Sequence, residues 1–193
     1  MLKGSRLRAI FAVLAALTAS LTLAGTAGAS SRGVVIDTED VCDPASFNAA
    51  GIPCHRIDGS GKRATVDELL ASLPKGGHGA WRFKNDDVEV KAGEPVYVRL
   101  ARGGEFHTFT KVAKFGPGCV PPINIPMFGK PDLAPECFPL VDTPDGPVPT
   151  PLITDGIPVD GSSVRVPAAK LTRGTNLFVC MIHPWMKAKV TVQ

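Results

Sequence analysis

The chain reads as an all-β protein, a Greek-key β-sandwich with an N-terminal extension and a long Pro-rich insertion, on three observations. Short runs of alternating apolar and polar residues recur from Trp81 onwards. Turn residues separate them at close intervals, as at Ala92-Gly93-Glu94. The last such runs, Leu177-Phe178-Val179 and Val190-Thr191-Val192, are β-branched and aromatic and flank a loop holding Pro184, which would break a helix in its middle.

Taken in order, the chain opens on Lys3, Arg6 and Arg8, an apolar stretch from Ala9 to Leu23, and Ala27-Gly28-Ala29 before Ser30. A basic start, a short hydrophobic run and small residues at the cut are the marks of a secretory signal peptide over residues 1–29. The expected location is therefore exported, periplasmic or extracellular, with no membrane span once the signal is removed. Its three basic groups and absent acids account for the whole formal charge of +3, so the remainder is neutral. Neutrality argues against nucleic acid and leaves any partner to dock on local patches.

Residues 30–79 form the extension, with a short strand at Gly33-Val34-Val35-Ile36 and a brief helix opened by the capping box Thr65-Val66-Asp67-Glu68. So few apolar anchors cannot fold alone, and the segment is expected to pack onto the sandwich. The domain proper spans 80–193. Trp81-Arg82-Phe83, Val88-Glu89-Val90, Pro95 to Leu100 and Phe106 to Val112 are its first strands, each of period two. Residues 115–161 hold twelve of the chain's prolines, from Pro117 through Pro121-Pro122 to Pro158, and are expected to be an irregular insertion that covers one side of the site. Strands resume at Ser163 to Val166, Asn176 to Cys180 and Lys187 to Val192.

The chemistry concentrates on the last loop. Cys180, His183 and Met186 set a thiol, an imidazole and a thioether at i, i+3 and i+6 between two strands. His107, on an earlier strand, supplies a second imidazole. Two imidazoles and a thiolate in a trigonal set with a weak axial thioether make a blue-copper site, and a thioether is not what zinc or a hard cation selects.

With Cys180-x-x-His183-Pro184-x-Met186 and the earlier His107, the chain resembles the cupredoxins, the blue or type 1 copper proteins, and the loop is most similar to the short amicyanin-type loop. The resemblance covers roughly residues 81–193. It implies one copper ion, with His107, Cys180 and His183 as equatorial ligands and Met186 as the axial one. Thr108 stands where many members carry Asn, so its hydroxyl is expected to tie the two ligand loops together. The backbone N–H groups of Thr108 and Ile182 are the candidate donors to the thiolate.

Five cysteines in an exported chain leave one over, and Cys180 is the one among metal-ligand types. Cys42, Cys54, Cys119 and Cys137 admit three pairings. The local one, Cys42 with Cys54 and Cys119 with Cys137, is preferred because each pair occupies its own Pro- and Gly-punctuated segment. His55 and His78 read as solvated histidines, Met127 and Met181 as packing residues, and Lys111, Lys114, Lys187 and Lys189 as solvated strand faces.

These readings predict a monomeric single-electron carrier, with a redox partner docking near His183, Pro184 and Trp185. The alternative is a copper-binding protein for storage, delivery or resistance. An enzyme with a second copper site would need histidines beyond His55 and His78, so enzyme activity by this chain alone is not expected.

Overall fold

The computed structural model describes residues 33–54, 63–138, 140–143, 146–149 and 155–193. The expected signal segment and His55 lie outside them. No described helix is long and apolar enough to cross a membrane.

Two four-stranded sheets make the body of the protein. The strands are β1 (Val34–Glu39), β2 (Arg82–Lys84), β3 (Asp87–Val90), β4 (Val96–Arg102), β5 (His107–Thr108), β6 (Thr110–Val112), β7 (Leu140–Thr143), β8 (Gly146–Pro149), β9 (Gly156–Ile157), β10 (Ser163–Arg165), β11 (Gly174–Val179) and β12 (Lys187–Val192). One sheet has the order β10-β4-β1-β2 and the other β3-β12-β11-β6. Among the described residues there are also two short pairs, β5-β9 and β7-β8.

The alternation seen in the sequence is the alternation of burial. Val96, Val98 and Leu100 of β4 point inward, and on β12 Ala188, Val190 and Val192 are buried while Lys187 and Lys189 are exposed. Phe83 of the first sheet meets Phe109 edge-on at 5.1 Å, and Phe109 stacks on Phe178 of the second at 4.3 Å. Each such ring, taken fully out of water, contributes about 1.5–3 kcal/mol, so this stack is a principal tie between the sheets.

Some of the sequence expectations change. The strand expected at Gly33–Ile36 runs on to Glu39 and is a sheet member, parallel to β4 and antiparallel to β2. Its partners lie more than forty residues away, and local pattern carries no sign of that pairing. Beside the expected helix, α2 (Val66–Ser72), stands another, α1 (Pro44–Ala49), capped by the Asp43 side chain on the Ser46 amide. At α2 the Thr65–Glu68 capping box is present in full.

The insertion is more regular than its prolines suggest. α3 (Pro121–Phe128) begins on two prolines, where the missing N–H groups would have had no helical partner, and closes on Gly129 in the left-handed region. Val112, Ala134, Cys137, Val179 and Met181 form a second small core, with Phe115, Cys119, Leu133 and Leu177 packed against it, so the insertion covers the outer side of β6 and β11. Both preferred disulfides are present, Cys42–Cys54 and Cys119–Cys137, and Cys180 is free and buried. Lys111 is not a solvated side chain: its ammonium donates to Asn176 Oδ1 at 2.8 Å.

Candidate metal centre

His107 enters the site because β5 pairs with β9, His107 opposite Ile157. Cys180 directly follows β11, whose last residue is Val179, and β12 starts at Lys187. The six residues between Cys180 and Lys187 form a closed loop: the Cys180 amide donates to the Met186 carbonyl at 3.0 Å, and the Met186 amide to the His183 carbonyl at 2.8 Å. Pro184 cannot donate to a ladder and sits at the turn of this loop.

Both imidazoles present Nδ1 to the thiol. Each Nδ1 lies 3.8 Å from Cys180 Sγ, and the two nitrogens lie 3.2 Å from one another. His107 and Cys180 are fully buried, and His183 is only 2% exposed. Met186 is buried in the same cluster as Cys180, whereas Met181 belongs to the second core and is a packing residue, as expected.

Thr108 joins the two ligand segments twice. Its amide donates to Cys180 Sγ at 3.4 Å, and its hydroxyl accepts from the Met181 amide at 2.8 Å. The expected tether through Thr108 is therefore present. Among the described residues no hydrogen bond from the Ile182 amide to the thiol is found, and the donor to Sγ is the Thr108 amide.

Two buried carboxylates that sequence reasoning missed stand on the outer nitrogens. Asp40 Oδ2 is 2.9 Å from His107 Nε2, and Glu105 Oε2 is 3.9 Å from His183 Nε2 while accepting from the Trp81 indole N–H. A single Asp 67 residues before a histidine carries no local signal. Glu105 had one, its place two residues before His107, with both side chains buried and Phe106 between them exposed.

The electrostatics follow from these contacts. Burial by itself lowers the His107 imidazole, but the bonds to Asp40 and Cys180 outweigh it and push the group up to about 10. Burial raises the Cys180 thiol, and the two imidazoles more than reverse this, holding it well below its ordinary value. Burial raises the Glu105 carboxyl, with His183 and Trp81 opposing. A thiolate is the form that binds a metal, and the site favours it.

The loop is held from both ends. The Met181 carbonyl accepts from the Cys119 amide at 2.6 Å, so the insertion covers that end as expected. The Trp185 indole donates to the His78 carbonyl at 3.1 Å, and its ring lies over Gly77, at φ 95°, where a Cβ would overlap the ring. His78 is thus not a solvated histidine. Its Nδ1 accepts from the Ala80 amide, and its ring meets Trp81 edge-on at 5.2 Å.

Two imidazole nitrogens and one thiolate facing one another in a dry space, with a buried methionine on the same loop, are the donor set of a type 1 copper centre. The residues present fit that ion. No family model matches the chain, and no curated protein does. Among solved structures it is similar to a purple cupredoxin from Nitrosopumilus maritimus (14% identity, 60% of this chain and 86% of that one, TM-score 0.33). Plastocyanin from Dryopteris crassirhizoma is another (25%, 61% and 91%, 0.34), as is rusticyanin from Thiobacillus ferrooxidans (20%, 72% and 100%, 0.32). These superpositions are partial, and the nature of the site is defined by its own donors.

Proposed function

We propose that the protein is an exported carrier of single electrons that holds one copper ion through His107, Cys180, His183 and Met186. The observation that supports this reading is the convergence of two Nδ1 atoms and one thiolate, all within 4.8 Å and all buried. The bound ion would supply one-electron Cu(I)/Cu(II) cycling. Everything else is the work of the chain. Strands and the closed 180–186 loop keep the donors in place, the Thr108 tether ties the two ligand segments, and burial excludes water, so little has to rearrange between states.

The electron route proposed is the outer edge of His183. That edge lies at the floor of an open apolar cleft of about 380 Å³ lined by Ile52, Pro53, Glu105, Phe106, Val159 and Ile182. Phe106 is 46%, Val159 42% and Ile52 38% exposed, a weakly charged rim suited to a transient redox partner. Pro184 is buried and Trp185 half-buried against His78, so the docking expected near His183, Pro184 and Trp185 is proposed on the cleft side. Carriage is favoured over copper storage because the donors are buried and few. It is favoured over an enzyme because His78 already spends its Nδ1 on the Ala80 amide.

The visible absorption spectrum of the copper-loaded protein tests the reading. An intense thiolate-to-copper band, lost in Cys180→Ser, is expected. A colourless, copper-loaded protein overturns it.

A further inference from the structure

Asp40 stands directly after β1 and reaches His107 from the end of that strand. Its side chain and that of His107 are both fully buried, with Oδ2 2.9 Å from Nε2. The carboxylate sits in a place built for it. The Gly104 amide donates to its two oxygens at 3.1 and 3.2 Å, the Glu105 amide at 3.2 Å, and the Cys42 amide approaches at 3.5 Å. Gly103, at φ 130°, is the residue that leaves room: a Cβ there would come within 2.1 Å of Asp40 Oδ2. The Cys42–Cys54 disulfide begins two residues on, and the Asp40 amide donates to the Arg102 carbonyl at 2.9 Å, so the main chain is fixed on both sides.

The two nitrogens of an imidazole are not independent. A carboxylate on Nε2 requires the proton there in the neutral ring, which leaves the lone pair on Nδ1, the atom that faces Cys180 and His183. A backbone carbonyl would orient the ring as well. A carboxylate also places negative charge behind it and makes Nδ1 a stronger donor, which favours the more highly charged oxidation state.

We propose that Asp40 is a positioning residue of the metal centre, holding His107 with its Nδ1 lone pair on the cluster and biasing the bound copper towards its oxidised state. The proposal rests on the copper reading above, and it makes β1 part of the site. It also explains why a buried acid is kept in a strand-end cradle formed by Gly103, Gly104 and Glu105.

The test compares the wild type with Asp40→Asn, which keeps the shape and an acceptor but loses the charge. Copper-loaded Asp40→Asn is expected to keep the visible band, while the ratio of its Cu(II) to Cu(I) affinity falls at least tenfold, a rise in potential of about 59 mV for one electron. In the zinc-loaded, diamagnetic wild type, nitrogen-edited NMR is expected to place the His107 proton on Nε2, downfield and slow to exchange. An unchanged potential in Asp40→Asn overturns the proposal. With its oxygen in the place of Oδ2, the Asn side chain turns an NH2 group onto the Gly104 and Cys42 amides that now donate to Oδ1, so if the variant fails to fold, the zinc form decides alone: a His107 proton on Nδ1, or rapid exchange at Nε2, overturns the proposal. If the wild type binds copper without the band, the copper reading fails instead, and the zinc form still decides the placement of His107.

Discussion

The Met181 amide donates to the Thr108 hydroxyl at 2.8 Å, across 73 residues of sequence. Thr108 thereby fastens the C-terminal loop to the strand that carries His107, and its own amide reaches Cys180 Sγ in the same step. Thr110 adds a second hydroxyl, 3.2 Å from that of Thr108, so the tether is itself supported. Tether, donor and ligand all lie in buried space, where an unmade hydrogen bond costs most.

Replacing Thr108 with Val keeps the shape and leaves the Met181 N–H without its acceptor. Denaturant unfolding of Thr108→Val is expected to show a loss of about 1–3 kcal/mol, the cost of a buried unpaired donor. Thr108→Ser, which keeps the hydroxyl, recovers most of it. Equal losses in the two variants would assign the effect to the methyl group's packing.

Thr108, and not Ile182, is the amide that meets the thiol. Ile182→Pro is therefore expected to leave the reduction potential of the copper-loaded protein unchanged within measurement error. A lowered potential would show that the Ile182 N–H turns onto the sulfur when the metal is bound, since a lost donor leaves the electron-rich state less stabilised.

What the sequence made legible is what is local. Cys180, His183 and Met186 share one loop, the Thr65–Glu68 box spans three residues, and the cysteine parity needs only counting. The strands from Trp81 onwards betray themselves by period two. Asp40, Glu105 and the place of β1 beside β4 were not legible, because each depends on a contact made across the fold. α3 was hidden for a different reason. Proline reads as a helix breaker, yet at the first two positions of a helix it costs nothing.

In the metal-free protein the stability of the site depends on pH through His107. Its folded value, about 10, lies above the ordinary 6.5, so the stabilisation is complete below about pH 6.5 and is lost as pH rises through 10. Cys180 runs the other way. Its folded value lies below 9.0, so its contribution is present above that and is lost as pH falls through the lower folded value. Between the lowered folded value of Cys180 and pH 9 the two slopes oppose each other, so the unfolding free energy of the metal-free wild type is expected to decline more steeply than that of His107→Gln from pH 9 to 10, where His107 is the one of the two that still titrates differently. Parallel curves would refute the imidazolium–thiolate pair.

Glu105 predicts a difference of the opposite kind, because its carboxyl is raised by burial and has no cation to offset it fully. A raised group stabilises the fold below its unfolded value, near 4.5, and that contribution disappears as pH rises through the folded one. Above that folded value the wild type bears an ionised carboxylate in a nearly dry place. Glu105→Gln stays neutral, and its side-chain oxygen can still accept from the Trp81 indole. The metal-free variant is expected to be more stable than the wild type at pH 8, and the advantage is expected to shrink towards pH 4, as read by denaturant midpoints at both values. An advantage that is the same at both would mean that Glu105 does not titrate in that window. Its effect would then lie in the shape of the Trp81 contact and not in its charge.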